Sequence, residues 1–163
     1  MRAAVPYINV IYVNFTPMSS VIYRISRILK TVWAFPVSII ALCVLPLALW
    51  HAQWAVRNGV LEITSPALSW FLRGVWFRAL AGGAGFAAAT IGQVIIARDA
   101  QCMNACRAHE HAHVRQCERW GILFPFAYVC AGLYTALRKR SWSAYYWDNP
   151  FEIEARAAES ANS

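Results

Sequence analysis

Charged side chains are scarce in this sequence. Asp, Glu, Lys and Arg make up only 14% of its 163 residues, whereas 59% are hydrophobic and the mean hydropathy is +0.39. Soluble domains carry about 25% charged and about 45–50% apolar residues. The composition therefore argues against an ordinary soluble domain and predicts a membrane-associated protein, and the length suits one domain.

Acidic residues are the scarcer charge class, because 8 Asp and Glu stand against 15 Lys and Arg, a net charge of +7. A basic chain can bind nucleic acid, but here the basic residues are scattered among Trp, Phe and Leu and flank apolar runs. Arginines at a membrane interface are placed in this way. We therefore expect membrane lipid as a partner and no nucleic acid.

The first long run without charge covers residues 31–56. It predicts a transmembrane helix over residues 31–53, long enough for a hydrocarbon core of about 30 Å. Pro36 and Pro46 would kink this helix, which membrane helices tolerate. No A-x-A cleavage site follows the run, so we expect an uncleaved anchor and not a signal peptide.

Residues 1–30 form a basic flank, within which Met18 is an alternative start of the protein. Arg24, Arg27 and Lys30 stand just before the predicted span, and few basic residues follow it closely. The positive-inside rule then places the N-terminus in the cytoplasm and the rest of the chain outside it.

Two further charge-free runs each admit two interpretations. Residues 79–97 are apolar enough for a second span, but their glycines and β-branched residues favour one or two short strands over residues 86–97. Residues 121–137 are barely long enough to cross a membrane and predict either a buried helix or one that is half inserted in the membrane.

Upstream, residues 59–64 alternate between apolar and polar and predict a strand. The aromatic residues 67–78 predict a helix on the membrane surface or in the core.

The polar stretch 102–118 contains an H-E-x-x-H pattern formed by His109, Glu110 and His113. Residues four apart lie on one face of a helix, so both histidines can bind one metal ion. Glu110 lies about 100° round the helix from His109 and can act there as a general base without being a ligand. Gln116 falls on the same face and can bond a ligand or the substrate. The pattern predicts a zinc hydrolase, although a solvated polar helix would explain it too.

A soft metal site is the alternative chemistry. Cys102 and Cys106 share one helical face with His109 and His113, which predicts zinc or copper binding without catalysis. One ion cannot take all four, because the outer pair are about 16 Å apart along a helix. The number of cysteines is odd, so at least one thiol is free or pairs between chains; they are Cys43, Cys102, Cys106, Cys117 and Cys130.

The ends of two helices are marked in the sequence. Asp99 can begin the metal helix and Gly121 can end it after about residue 120. Later, Asn149 suits an N-cap and Pro150 the first helical position, which puts Glu152 where capping-box glutamates sit. Capping and metal binding are therefore both open for the Glu152 carboxylate.

The segments HEHAHVRQ and DNPFEIEA together resemble the gluzincin metallopeptidases. In membrane-bound members of that class the third zinc ligand is a Glu on a later helix. The resemblance places that ligand at Glu152, with Glu154 as the alternative. Arg156 stands where the family usually has Asp, a residue that would orient a ligand imidazole.

Residues 89–99 with HEHAHVRQ also resemble a small bacterial zincin-like domain, in which a T-x-G-x-x-I strand precedes the metal helix. Thr90 and Gly92 occupy that pattern here. The resemblance covers roughly residues 86–159 and implies an α+β fold, with short edge strands beside the metal helix and a later ligand helix. An edge strand of this kind binds a peptide substrate by backbone pairing. We expect the metal domain to span residues 54–155. Residues 156–163 are expected to form a disordered tail.

These observations predict a membrane-anchored zinc metallopeptidase with one zinc per chain. Glu110 would be the base, Tyr145 or Tyr146 would help to stabilise the oxyanion, and a peptide or protein would be the substrate. A bacterial inner membrane with the metal domain on the periplasmic side is the expected location. The alternatives are a non-enzymatic metal-binding membrane protein and a zincin-like protein without activity. Oligomeric state is not predicted.

Overall fold

The protein has an α+β architecture, as the sequence predicts. A computed structural model describes residues 20–48, 51–74 and 85–161. The predicted start at Met18, the last four residues of the aromatic segment 67–78 and the end of the tail lie outside these residues. Four strands form one sheet: β1 Gln53–Arg57, β2 Val60–Thr64, β3 Ala88–Ile91 and β4 Val94–Ala97. The described helices are α1 Ser20–Ala48, α2 Pro66–Leu72, α3 Ala100–Trp120, α4 Phe124–Lys139, α5 Ala144–Trp147 and α6 Pro150–Ser160.

The sheet is mixed and has the strand order β1-β2-β4-β3. β1 pairs with β2, and β3 with β4, in antiparallel hairpins, while β2 and β4 run parallel. Of the one or two short strands predicted within residues 86–97, the structure has two, β3 and β4, and β3 lies at the edge of the sheet. β1 was not predicted, because all five of its residues are exposed. The signal for its hairpin is Asn58-Gly59, where both residues have positive φ, as a tight two-residue turn requires.

The N-terminal helix α1 lies along the sheet. Near its start Arg27 donates a hydrogen bond to the carbonyl of Asn58, and in its middle Ser38 Oγ accepts one from Gln93 N at 2.9 Å. Ala34 and Ala41 are buried, in clusters with residues of α3 and of the sheet respectively. Helix α1 therefore packs directly on residues of the segment 54–155, which the sequence predicts as the metal domain.

Helix α3 begins and ends where the sequence predicts. Asp99 is the N-cap, and its side chain accepts a hydrogen bond from Cys102 N at 2.7 Å. Gly121, with φ of 56°, ends the helix. On one side Met103 and Val114 pack on the sheet, and on another α3 packs against α6. The helix is thus fixed between the sheet and the C-terminal helix.

Helix α4 follows after a 3₁₀ turn, Gly121–Leu123. Among the described residues, the continuous helical stretch Ala100–Lys139 is the one candidate that is long and apolar enough to cross a membrane, by length and composition alone, and most of its apolar part is exposed. It is not the span predicted over residues 31–53, where the structure has a helix with other bounds, Ser20–Ala48, followed by a strand that begins at Gln53. The apolar part of Ala100–Lys139 is residues 121–137, since α3 carries charges throughout. Of the two predictions for this run, burial behind the metal helix holds for one face of α4 only.

The C-terminal residues are more ordered than predicted. Residues 141–147 contain the short helix α5, and α6 continues to Ser160 in place of a disordered tail from residue 156. Arg156 holds this helix, because its guanidinium donates to Trp147 O at 2.5 Å and lies over the Trp147 ring. The composition of the segment alone does not show this tertiary contact.

Candidate metal centre

Three side chains from distant parts of the chain meet at one point. His109 Nε2 lies 3.1 Å from His113 Nε2. The same two nitrogens lie 3.3 Å from Oε2 and Oε1 of Glu152, respectively. His109 and His113 belong to α3 and Glu152 to the first turn of α6, and the packing of α6 on α3 brings them together. All three side chains are nearly buried.

This spacing fits the ligands of a metal ion. Bonds of about 2.0–2.1 Å to a tetrahedral zinc place neighbouring ligand atoms about 3.3 Å apart. Within the described residues, Glu152 Oε2 is buried and accepts no hydrogen bond, which a cation would satisfy. The group His109, His113 and Glu152 can therefore hold a metal ion, and it is the one such group that the described residues form.

Gln116 fixes the tautomer of His113. The Gln116 amide nitrogen donates to Phe151 O at 3.0 Å and to Glu154 Oε2 at 3.1 Å. Its Oε1 must then be the atom that lies 2.8 Å from His113 Nδ1, so Nδ1 carries the proton and donates it. His113 Nε2 is left with its lone pair toward Glu152. Gln116, expected on this face from its spacing, thus orients His113 and is not one of the three side chains that could hold an ion.

A carboxylate stands behind His109 as well. Glu159 Oε2 lies 3.7 Å from His109 Nδ1, on the side away from His113. Arg156 lies 3.9 Å from Glu152 Oε2. The carboxylate nearest to the rear nitrogen of His109 therefore belongs to Glu159, on the same helix as Glu152. Sequence reasoning missed Glu159, because it lay in the segment expected to be disordered.

Tyr128 is a further site residue that the sequence did not indicate. Its hydroxyl donates to Glu152 Oε1 at 2.6 Å, so it orients the carboxylate from α4. Tyr128 stands within an apolar run with no local polar pattern, and no spacing rule links it to residue 152. Asn149 caps α6 by accepting from Phe151 N at 3.1 Å. Glu152 faces the histidines, so the metal-ligand interpretation of this residue is the one that the geometry favours.

Glu110 lies beside the three ligands and faces the same cavity. It is 5% exposed. Thr90 on β3 places it, since Thr90 Oγ1 lies 2.7 Å from Glu110 Oε2 and 3.1 Å from the Glu110 carbonyl oxygen. Burial raises the pKa of Glu110 above its ordinary value. A bound cation would act in the opposite direction.

The contact between the imidazoles and the Glu152 carboxylate shifts the pKa values of His113 and Glu152. Burial alone would lower the pKa of His113, but the adjacent Glu152 carboxylate outweighs it and raises that pKa. Burial alone would raise the pKa of Glu152, but the imidazoles of His109 and His113 outweigh it and lower that pKa. Glu152 is therefore an ionised acceptor, as a metal ligand must be.

Two of the predicted residues lie outside the ligand group. Glu154 is exposed and bonds Gln116 and Arg119, so it supports the group from behind and is not an alternative ligand. Gly92 lies in the turn between β3 and β4 with φ of 65° and packs on Ser38 of α1. Of the T-x-G pattern, only Thr90 reaches the site.

The cysteines do not assemble with the histidines in the described residues. Cys102 packs near the sheet, and its thiol lies 3.5 Å from Asp99 Oδ2. Burial, followed by the charges of Glu110 and Glu159, raises the pKa of Cys106 to about 11. A thiol with such a pKa stays protonated at neutral pH when no metal is bound.

A cavity of about 680 Å³ opens above the group. This volume lies within the range of small-molecule and peptide clefts. Its walls are mainly apolar and come from α1, β3, α4 and α5, with Val37, Ile91, Phe124, Tyr145 and Tyr146 among the lining residues. Burial, and then the charge of Glu152, raises the pKa of Tyr146, so its hydroxyl remains a hydrogen-bond donor.

Comparison with known proteins finds no relative. No protein-family model matches the chain, and no curated protein or solved structure matches it significantly.

Proposed function

We propose that this protein is a membrane-anchored, zinc-dependent metallopeptidase with a zincin-like metal domain. The observation that carries the proposal is the triangle of His109 Nε2, His113 Nε2 and the Glu152 carboxylate, with edges of 3.1 and 3.3 Å, beneath an open cavity. Three protein ligands that leave a position open are typical of catalytic zinc sites, whereas structural sites are closed by four.

Each neighbouring residue has a role in this proposal. Zinc bound by the three ligands would supply Lewis acidity toward a substrate carbonyl and lower the pKa of water. The Glu110 carboxylate, held by Thr90, accepts the proton of the attacking water and returns it to the leaving amine. Tyr145 and Tyr146 face the cavity and offer hydroxyls to the oxyanion. A peptide lies extended along β3, the edge strand of the described sheet that borders the cavity.

Anchoring by α1 belongs to the same proposal. The helix exposes large apolar side chains on the faces that do not pack on the sheet, among them Ile25, Leu29, Val32 and Ile39. Arg24, Arg27 and Lys30 precede its charge-free part, which favours a cytoplasmic N-terminus in a bacterial inner membrane. Because Arg27 also bonds Asn58, the metal domain lies beside this helix and not wholly on the periplasmic side. Reporter fusions at both ends of the chain test this orientation.

The first test is the metal content of the protein purified in detergent, measured by elemental analysis. Four proteins are compared: the natural chain, Glu152→Ala, Glu154→Ala and a Cys102→Ser, Cys106→Ser double variant. We expect one zinc per chain in all but Glu152→Ala. Glu154→Ala is the matched control, since Glu154 is on the same helix and contacts Gln116 without joining the ligand group.

Loss of zinc in the cysteine variant, with zinc retained in Glu152→Ala, would contradict the proposal. The non-enzymatic metal-binding protein that uses Cys102 and Cys106 would then take its place. Zinc binding that depends on Glu152 without hydrolysis of any peptide in a broad library would indicate the inactive zincin-like alternative.

A further inference from the structure

One face of α4 is left uncovered by the described residues. Phe124, Gly132 and Ala136 are buried against the rest of the fold. The opposite face is apolar and exposed. Phe126, Val129, Leu133 and Leu137 recur every three or four residues and Tyr134 adjoins them, so together they form one stripe. The five side chains of the stripe are 41% to 78% exposed. A helix that is apolar all round is buried in a large core or in lipid.

The cavity above the metal ligands opens between this stripe and α1. Ile40 of α1 and Val129 of α4 both line the cavity. They are also 55% and 44% exposed on the outer surface, so they stand at its mouth. Apolar side chains therefore border the entrance on both sides.

We propose that the stripe on α4 lies in the lipid bilayer beside α1, so that the metal cavity opens to lipid and receives its substrate from the membrane. The proposal rests on anchoring by α1 but not on zinc or hydrolysis. Since α1 lies along the domain from Arg27 to Ala41, a bilayer that surrounds α1 must also meet the surface next to it. The α4 stripe is an adjacent surface that suits acyl chains.

The end of α4 has the charges and aromatic rings that suit lipid headgroups. Arg138 and Arg140 are exposed, and Lys139 is bound to Asp148 at 2.6 Å. Trp142 and Trp147 follow and are each 56% exposed. Basic residues bind anionic headgroups, and Trp prefers the interface between headgroups and acyl chains.

The depth of the cavity agrees with this placement. Ile40 follows Lys30, the last charge before the apolar run, by ten residues. Ten residues of helix measure about 15 Å, which is half of a hydrocarbon core of about 30 Å. Helix α4 is about 24 Å long, too short to cross on its own, so we infer that it is embedded beside α1. A peptide with an apolar, membrane-inserted segment is the substrate class that such an entrance would take.

Two native cysteines allow a direct test. Cys130 lies on the outer side of α4 and Cys43 on α1, and both are exposed. Full-length chains that retain only one of them, with the other cysteines changed to Ala, are labelled with an environment-sensitive fluorophore and placed in vesicles of neutral and anionic phospholipid. Asn104→Cys, on the exposed part of α3, is the water-facing control. Leu133→Cys provides a second position on the stripe.

Quenching by a nitroxide on the lipid chains is compared with quenching by aqueous iodide. We expect the labels at Cys130, Leu133→Cys and Cys43 to lose most of their emission to the lipid nitroxide and little to iodide, and the label at Asn104→Cys to show the reverse. If the α4 labels respond to iodide while Cys43 responds to lipid, the inference is wrong and anchoring by α1 stands. If the α4 labels are protected from both quenchers, protein covers the stripe, as in a dimer, and the inference is also wrong. If iodide quenches the label at Cys43 as well as the α4 labels, α1 does not anchor the protein in the bilayer.

Discussion

Glu110 is the residue whose proposed role is best separated from metal binding. It shares the cavity with the ligands, and its carboxylate is held by Thr90 at 2.7 Å. Glu110→Gln keeps the shape but cannot accept a proton, so we expect zinc to stay bound and hydrolysis to fall about 10²–10⁴-fold, the usual contribution of a general base. Metal analysis and single-turnover peptide cleavage on one preparation measure both. Glu118→Gln on the same helix is the control, and loss of zinc from Glu110→Gln would contradict the role as base.

Tyr128 tests whether the carboxylate ligand must be oriented. Its hydroxyl donates to Glu152 Oε1 at 2.6 Å, and outer partners of this kind change metal affinity by about 10–100-fold. We expect Tyr128→Phe to weaken zinc binding by about that factor, as measured by competition with a chelating dye. Tyr134→Phe is the matched control, since Tyr134 is on the same helix but 62% exposed. Equal affinity in the two variants would show that the Tyr128 hydroxyl is dispensable.

The sequence predicts the site residues that lie on one helix, because helical spacing alone brings them together. His109, Glu110, His113 and Gln116 lie within one helix, so their shared surroundings could be predicted from 3.6 residues per turn. The sequence did not decide whether Glu152 caps a helix or binds the metal, because both roles use the same carboxylate. Tyr128 and Glu159 could not be predicted, since only the docking of α4 and α6 against α3 brings them near.

At the scale of elements, a buried carboxylate joins α3 to the sheet. Glu62 on β2 is 3% exposed, and Arg107 binds it through Nε and Nη2, each at 3.1 Å. His111 lies 3.3 Å away on the same side. Burial by itself would raise the pKa of Glu62, but Arg107 and His111 outweigh it and lower that pKa. The middle histidine of HEHAH thus serves the fold, on another face of α3 from the metal ligands.

This ion pair predicts a pH-dependent stability. A carboxyl whose pKa is lowered by folding stabilises the native state above its unfolded pKa, near 4.5, and this contribution is lost as pH falls through the lower, native pKa. We expect Glu62→Gln to cost about 1–3 kcal/mol at neutral pH, typical for a charge-assisted hydrogen bond. Urea unfolding in detergent at several pH values measures the difference. It should shrink below about pH 4.5, and a difference that is constant down to pH 3 or so would contradict the assignment.

The junction between α3 and α4 depends on one glycine. Gly121 has φ of 56° and ψ of −134°, a conformation that L side chains rarely adopt. A Cβ there would also overlap the indole of Trp33 on α1. Gly121→Ala should therefore destabilise the fold by more than the roughly 1–3 kcal/mol of the backbone strain alone. In a Trp33→Ala background the overlap is absent, so the cost of Gly121→Ala should fall, as a double-mutant cycle of thermal unfolding would measure. An unchanged cost would show that Trp33 is not in contact.

The bounds of a helix or strand could be predicted from the sequence where a capping residue or a turn residue stands at its end. Asp99 and Gly121 define α3 because they satisfy backbone groups at its ends. β1 escaped prediction because it has no buried residue, and the end of α6 escaped because Arg156 and Trp147 hold it through a tertiary contact. Short strands and fraying helix ends are set by what packs against them, which local propensity does not contain.

At the scale of the whole molecule, α1 has two surfaces with different partners. Ala34, Val37 and Ala41 are buried against the fold, while the remaining faces are apolar and exposed. The sequence showed an apolar run suited to a membrane, but a run that is apolar on every side does not reveal that one stripe is used for packing. Only the fold shows that the proposed anchor also forms a wall of the metal cavity.

The last prediction follows from that shared role. A chain of residues 51–163, without α1, loses the cover over Ile63, Ile96 and Phe124 that Ala34 and Ala41 provide. We expect this fragment to aggregate or to unfold without cooperativity and to hold no zinc, as measured by size-exclusion chromatography, thermal unfolding and metal analysis.

A chain that begins at Met18 keeps the whole of α1 and should bind zinc like the natural chain. Ala34→Glu in the full chain keeps α1 but disrupts its packing on the fold. It should therefore cause the same loss of zinc and of cooperative unfolding as the deletion. If residues 51–163 bound one zinc and unfolded cooperatively, α1 would be an attached anchor and not part of the metal domain.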